Sequence, residues 1–518
     1  MPIEYAPETI VRVLQNVPIE NDYKNTLYFA SKTAQTAYFA SKAKYSYTDF
    51  TYQRRQWRVT VPALADDILD CNYLMFQNSS FGDKWFYAFI TDIEYLNPNA
   101  TAITFEIDVI QTWLLDITFN QCFIEREHSE TDEIGDNLVP ENLELGEYTY
   151  TLAGSVLENP SALSIVVASA YDAQGQIDSG QLYGGIYSGV NYAVFPTSEI
   201  TTDQGVNWFL DALTQLNQAS SIVSVFMMPT ELIYAPGAGV RQNAVSFNKS
   251  VSQIDGYTPK NNKLFTYPYN FLGATNFEGA SRSYRYEYFS GSSGACTFSY
   301  SNSMSPISEY LIWPTDYNGV VSNHMEQMRI SGFPQCTYPI DSFKAYMAQI
   351  ASNPASIFTG AVQSGYSSAT GKNGTPLGGV VSGAIDMGMN MLGNVMTVLQ
   401  NTIGTVGMPD TVYGTDSPSV MTALGYKDFY FYYVSVREEF ARIIDDYFNM
   451  FGYATHRVKT PNISSRPHWN YVKTVGCTVS GGAPSNDESQ ICSIMDNGLT
   501  FWKNPSEVGD YSLDNSPT

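Results

Sequence analysis

The chain has 518 residues, a length that suits two to four domains better than one. Charged residues make up only 15% against ~25% in ordinary soluble domains, hydrophobic residues make up 44%, and the formal net charge is −24. This balance excludes a basic wall that grips DNA or RNA and charge-driven docking on anionic lipid, and the 38 tyrosines and 28 phenylalanines exclude a disordered chain.

In chain order, residues 10–124 read as strands. The run 57–61 alternates, 84–90 is densely aromatic, and 102–110 places apolar residues at every second position, as a half-buried strand does. Pro62 followed by Leu64, Ile68 and Leu69 predicts a short helix opened by proline. Residues 125–147 differ. They hold nine acids and one arginine, broken by Gly135, Pro140 and Gly146, which predicts a solvated linker or crossover loop. The acidic spacing lacks the D-x-D-x-D-G-x5-E order of a calcium loop. From 150 to 340 short β-like runs recur, with one helix expected over 206–216 and sheet with one wet face over 283–289.

The stretch 345–409 stands apart. Its 65 residues carry two charges, Lys372 and Asp386, with 11 of the 38 glycines and 6 of the 16 methionines. Such a run belongs inside protein, inside an oligomer, or in lipid. Its length permits a span, since ~20 apolar residues cross a bilayer. Asp386, Asn390, Asn394, Gln400 and Asn401 are costly against acyl chains, while Gly379-x-x-x-Gly383 permits close helix contact. The residues leave two readings open, a buried core hairpin and a membrane-active or channel-filling loop. Its candidate contact residues are Ile357, Phe358, Val362, Leu377, Val380, Val381, Ile385, Met387, Met389, Met391, Leu392, Val395, Met396, Val398, Leu399, Ile403, Val406 and Met408.

After 425 an aromatic strand, 428–433, precedes an amphipathic helix. Phe440, Ile443, Ile444, Tyr447, Phe448 and Phe451 recur at helical spacing, Glu438 and Glu439 suit its first turn, and Gly452 ends it. Strands 469–472 and 499–502 close the chain, the second after an Asn497-Gly498 turn.

Motifs for catalysis are missing. The four histidines, His128, His324, His456 and His468, form no H-x-x-x-H or H-E-x-x-H, and no G-x-S-x-G elbow, Walker loop or dinucleotide fingerprint occurs. The cysteines at 71, 122, 296, 336, 477 and 492 form no C-x-x-C and read as small buried hydrophobes. Spacing leaves open whether Cys477 and Cys492 pair. Glu125, Glu127 and Asp66-Asp67 read as surface or ion-paired residues. No catalytic residue, metal or cofactor is expected. The opening Met1-Pro2-Ile3-Glu4-Tyr5 lacks a basic and an apolar region, so no secretory signal is expected.

Blocks at both ends carry a resemblance. Val11-Arg12-Val13-Leu14 leads to Val17-Pro18-Ile19-Glu20-Asn21-Asp22-Tyr23-Lys24-Asn25-Thr26. Tyr73-Leu74-Met75-Phe76-Gln77-Asn78 leads to Gly82-Asp83-Lys84-Trp85-Phe86-Tyr87-Ala88-Phe89, and Phe105-Glu106-Ile107-Asp108-Val109-Ile110-Gln111-Thr112-Trp113 to Phe123-Ile124-Glu125-Arg126-Glu127-His128. At the far end stand Arg457-Val458-Lys459-Thr460-Pro461-Asn462, Asn470-Tyr471-Val472-Lys473-Thr474, Asp496-Asn497-Gly498-Leu499-Thr500-Phe501-Trp502 and Asp510-Tyr511-Ser512-Leu513-Asp514-Asn515. Together they resemble the distal tail knob (tail tube) proteins of short-tailed bacteriophages of Gram-positive bacteria.

The resemblance implies a mainly β fold with some helices (α+β), in which a tail-tube-like β-barrel or sheet domain is built from both chain ends. The implied boundaries are 1–148 and 425–518 for that domain, 149–344 for a second β-rich domain, and 345–424 for a long apolar Gly/Met-rich loop. It further implies a virion protein of the tail tip, made in the host cytoplasm. Six copies ring a channel and join upstream tail or collar proteins, and DNA passes without specific binding. The 345–409 loop plugs the channel and, once released, meets host membrane lipid as a pore. Methionines and Asp386 depart from the family's loop pattern. Two further readings stand beside it: a tail adhesin whose tyrosines in 263–315 stack on cell-wall carbohydrate, and a tail-associated wall hydrolase.

Overall fold

The computed structural model describes residues 9–517 except 51–56, 80–81, 83, 160–161, 172–181, 184–185, 188–190, 197–204, 217, 219–220, 234–241, 278, 291–293, 303–308, 332–334 and 337–427. Strands dominate, as the mainly β reading expects. The α-helices among the described residues are α1 (Lys32–Ser41), α2 (Val109–Trp113), α3 (Val206–Gln215), α4 (Glu438–Phe451) and α5 (Ser485–Asn497). The chain divides into two units. The first is Met1–Leu145, Gly256–Leu264 and Glu438–Thr518, and the second is Gly146–Asp255 and Phe265–Arg437.

The first unit contains an antiparallel six-stranded sheet in the order Ala43–Phe50, Thr9–Gln15, Cys71–Asn78, Trp85–Asn97, Ala100–Ile107, Arg58–Val61. The strand Cys71–Asn78 reads as an almost unbroken apolar run because both of its faces are covered. On one face Leu74 and Phe76 pack with Val11, Val13, Ile103 and Phe105. On the other, Tyr73 and Met75 pack with Phe39 of α1 and with Trp469 and Trp502. Those tryptophans belong to a five-stranded sheet ordered Asn25–Leu27, Leu499–Trp502, Trp469–Val475, Cys122–Glu127, Tyr453–Lys459. Asn25–Leu27 runs parallel to Leu499–Trp502, so the two ends of the chain share one sheet.

The second unit contains three four-stranded sheets among its described residues. Its core is aromatic: Phe431 lies 4.3 Å from Phe247 and 4.7 Å from Phe298, centroid to centroid. Helix α3 buries Val206, Phe209 and Leu213, spaced i, i+3 and i+7, against Ile165, Val167 and Phe195.

Local expectations fail where a polar group or a tertiary partner intervenes. The strand expected over 102–110 stops at Ile107, because the Asp108 carboxylate accepts the Gln111 N–H at 3.0 Å and caps α2. Tyr73 donates to the same carboxylate at 2.9 Å, and burial pushes its pKa up to about 6. Pro62 opens no helix; the chain makes only the 3-10 turn Ala65–Asp67. Helix α1 lies within the part read as strands, because only Gln35 and Phe39 of its residues turn inward. The 283–289 run is strand only over Ser281–Tyr284 and then forms the 3-10 turn Tyr286–Tyr288. Asn497-Gly498 is no hairpin turn. Gly498, at φ +98, donates to the Ile494 and Met495 carbonyls and ends α5.

Helix α4 begins and ends where expected, yet its inward face is not the aromatic stripe alone. Ala441, Ile444, Asp445, Phe448 and Asn449 are buried, while Ile443 is 66% exposed. Gly452 ends it at φ +65, and a Cβ there would lie 2.2 Å from the Glu127 carbonyl oxygen. Neither backbone can give way without breaking strand pairing. We expect Gly452→Ala to destabilise the first unit by about 3 kcal/mol or more, read as a lower midpoint in urea unfolding; an unchanged midpoint would refute the close approach.

Candidate functional site

The eighteen residues proposed from sequence as channel or membrane contacts all lie outside the described residues, as does the whole of 345–424. Among the described residues no helix is long and apolar enough to cross a membrane, and no group of three or more His, Cys, Asp or Glu side chains fits a metal ion.

The most elaborate polar site lies within the first unit. It is built on three carboxylates. Asp445 of α4 is fully buried and accepts from Tyr257 OH at 2.6 Å, Lys260 N–H at 2.8 Å, Asn261 N–H at 3.0 Å and Asn261 Nδ2 at 2.8 Å. Asp132 accepts from Asn262 N–H at 2.9 Å and Tyr453 OH at 2.6 Å, and burial raises its pKa. Glu141 pairs with Arg126 and with Lys263, the latter at 2.6 Å, and takes the Ala454 N–H at 2.9 Å. Burial lowers the Lys263 pKa, and Glu141 opposes that shift.

This refines the reading of 125–147. The segment is a crossover with Glu130, Glu133, Asp136, Glu144 and Glu147 exposed, but the Glu127 and Glu141 side chains are buried in it. Glu127 is only 1% exposed; it pairs with Lys459 at 2.6 Å and accepts the Asn462 N–H at 3.1 Å. Burial nonetheless raises its pKa. Glu125 is ion-paired with Lys473, as its sequence reading allows. The buried Arg466 guanidinium donates to the Ser129 and Asn515 carbonyls at 3.0 and 3.2 Å, tying the acidic segment to the C-terminal residues. The sequence carries a faint signal of this in the single Arg126 among nine acids, which pairs with Glu141 of the same segment and donates to the distant Gly452 carbonyl.

His128 is a structural residue. Its Nδ1 accepts the Tyr471 N–H at 2.8 Å, so the Nε2 proton faces the Asn449 carbonyl at 3.1 Å. Both ring nitrogens are taken by backbone, and burial together with Arg466 lowers the pKa to about 3. His468 pairs with Glu507 at 2.8 Å. Burial raises the thiol pKa of Cys71, Cys122, Cys296, Cys477 and Cys492, which leaves them protonated near neutrality. Among the described residues, these geometries offer no activated thiol beside a free imidazole.

In the second unit Asp428 follows directly on 337–427. It is buried, accepts from Leu157 N–H at 2.8 Å, Phe429 N–H at 2.7 Å and Tyr310 OH at 3.1 Å, and burial pushes its pKa up to about 7. The tyrosines that motivated the carbohydrate reading are largely core: Tyr284, Tyr286, Tyr300, Tyr310 and Tyr317 are buried in one cluster with Phe298 and Phe431. Their rings meet each other edge-on, so their faces are not presented to a sugar.

The family model for the C-terminal domain of the Bacillus phage phi29 tail knob protein gp9 matches residues 238–516. The chain belongs to the phage tail knob protein family. A second model, the caudoviral major tail protein N-terminus, matches residues 7–118. The tail knob proteins gp9 of Bacillus phages PZA and phi29 are each 27% identical to it, and that of phage B103 is 25% identical; each comparison covers 98% of both chains. The structure of the bacteriophage C1 tail knob protein gp12 matches with a TM-score of 0.59 at 14% identity, over 98% of this chain and 99% of that one, a likeness of fold. This member is therefore a structural component of a phage tail and of the virion. The names of these relatives are those of tail knob proteins, in keeping with a non-enzymatic role.

Two outcomes follow from the polar junction. Asp445→Ala removes the acceptor of the buried Asn261 N–H and of the part-buried Tyr257 hydroxyl and Lys260 N–H, and we expect a loss of about 3 kcal/mol in urea unfolding, whereas a surface control such as Asp67→Ala stays within about 0.5 kcal/mol. The His128 pKa is lower folded than unfolded, so its stabilising contribution is present above pH ~6.5 and is lost as pH falls toward 3. Asp108 has the opposite sign: raised to about 6, it favours the fold below its unfolded value and loses that contribution as pH rises through 6. Comparing wild type with His128→Gln isolates the histidine. The stability gap between them is expected to shrink by about 2 kcal/mol from pH 7 to pH 5; a gap independent of pH would refute a buried neutral ring.

Proposed function

We propose that this chain forms the distal knob of the tail as a ring of identical copies, six in number, around a channel that passes DNA, and that residues 345–409 fill the channel until release and then enter the host membrane as a pore. The observation that carries this reading is the charge-poor stretch itself: 65 residues with two charges, inside a tail knob family chain whose net charge is −24. An acidic lumen repels phosphates, so DNA slides rather than sticks. An apolar segment of this size exposed singly would cost free energy in water; copies packed against one another inside a ring would hide it, and lipid would be the favoured solvent after release. Glycine and methionine suit a segment that packs in two environments. The ring would join upstream tail or collar proteins at one end.

Dye leakage from liposomes tests the loop, with intact protein and a 353–410 deletion at neutral and mildly acidic pH. Leakage is expected from the intact protein only, and equal leakage from both removes the segment from the mechanism. Light scattering tests the ring: a hexamer is expected, and a monomer at every concentration and in particle images overturns it.

A further inference from the structure

Three cysteines far apart in the chain meet in the first unit. Cys122 opens the strand Cys122–Glu127, Cys477 sits in the turn between the strands Trp469–Val475 and Val479–Gly481, and Cys492 lies in α5. Asp496, one helical turn beyond Cys492 on α5, accepts the Cys477 N–H at 3.1 Å and so sets Cys477 beside the helix face that carries Cys492, and the thiols of Cys122 and Cys492 each interact with that of Cys477. All three are free thiols; Cys122 and Cys477 are buried and Cys492 is partly exposed. Cys477 and Cys492 share an apolar cluster with Ile491, Met495 and Leu499. The turn carrying Cys477 is pinned by Asp496, whose carboxylate accepts the Cys477 N–H at 3.1 Å and the Thr474 hydroxyl at 2.6 Å.

We propose that Cys477 and Cys492 are a disulfide-forming pair, oxidised by a small-molecule disulfide, and that the bond staples the 475–479 turn to α5. The choice of partners follows from what can move and what can be reached. A disulfide needs its sulfurs ~2.05 Å apart with Cβ atoms ~3.8 Å apart. Cys122 pairs with Lys459 in the ladder with Tyr453–Lys459, so its backbone is held. Cys477 lies in a turn and Cys492 on a helix face, and closing them makes a loop of only 16 residues. Cys492 is also the partly exposed thiol, and the Val479 N–H faces its sulfur, which favours its thiolate.

The exchange proceeds in two steps. The Cys492 thiolate attacks one sulfur of the external disulfide; its S–S bond breaks, one thiolate leaves, and a mixed disulfide remains. The Cys477 thiolate then attacks Cys492 Sγ and expels the second small thiolate. The two cysteines lose two electrons and two protons, and the external disulfide gains the electrons and is released as two thiols. Burial, which raises both protein thiols, makes the reaction slow at neutral pH and faster as pH rises.

The test treats the full-length protein with oxidised glutathione at pH 8, alkylates the remaining thiols, and maps peptides by mass spectrometry. A linked Cys477–Cys492 peptide pair within one chain is expected, with a rise of a few degrees in melting temperature. Cys492→Ser should abolish both effects, and Cys296→Ala should change neither. A Cys122–Cys477 link, links between chains, glutathione adducts alone, or a full count of free thiols after oxidation would each overturn the proposal. The peptide map of the wild type decides the matter even if a variant fails to fold.

Discussion

The first unit depends on burying carboxylates that are hydrogen-bonded through both of their oxygens. Asp445, Asp132 and Glu141 gather the backbone of 256–264, the acidic crossover and the strand that follows α4. None of these loop segments could otherwise bury its N–H groups, because no ladder or helix supplies acceptors there. A buried charge is costly unless it is paired and fully hydrogen-bonded. Here backbone amides, two tyrosine hydroxyls and the Lys263 ammonium meet that requirement.

The second unit uses a different means. Its interior is aromatic, with Phe247, Phe298, Tyr284, Tyr310, Phe429 and Phe431 in one cluster. Edge-to-face and tilted contacts dominate, an arrangement that favours aromatic pairs beyond their buried area. The single carboxylate Asp428 is the polar fixture, capping two backbone amides beside the strand Tyr430–Val436. In this cluster the tyrosines serve packing, which weighs against the carbohydrate reading.

Family membership and composition support the same function. In the first unit His128 is held by two backbone groups, and Glu127 by Lys459 and Asn462. The low charged fraction of the chain is uneven. It falls to two charges in 345–409, while the acids of 125–147 include several that are buried and paired. The average conceals a charge-poor segment and an acidic one in which Glu127 and Glu141 are buried and paired.

The sequence by itself determined what rests on short-range pattern. The spacing in 438–451 specified helix α4 and its Gly452 stop, the apolar positions of 206–216 specified α3, and the family blocks specified a mainly β tail protein. Only the tertiary structure decided which polar groups turn inward. Asp445 and Asn449 share the buried face of α4 because their partners, Asn261 and the C-terminal Tyr511 and Leu513 carbonyls, come from elsewhere in the chain. Asp108 breaks a regular strand pattern because Tyr73 waits opposite, and Glu127, Asp132 and Glu141 leave water because Lys459, Tyr453 and Lys263 reach them. The pairing left open for Cys477 and Cys492 became a question of contact, with Cys122 added from 355 residues away. Periodicity reports which face of an element is apolar over a few turns; the partner that makes burial of a charge or a thiol tolerable is brought there by the fold, at separations no local pattern encodes.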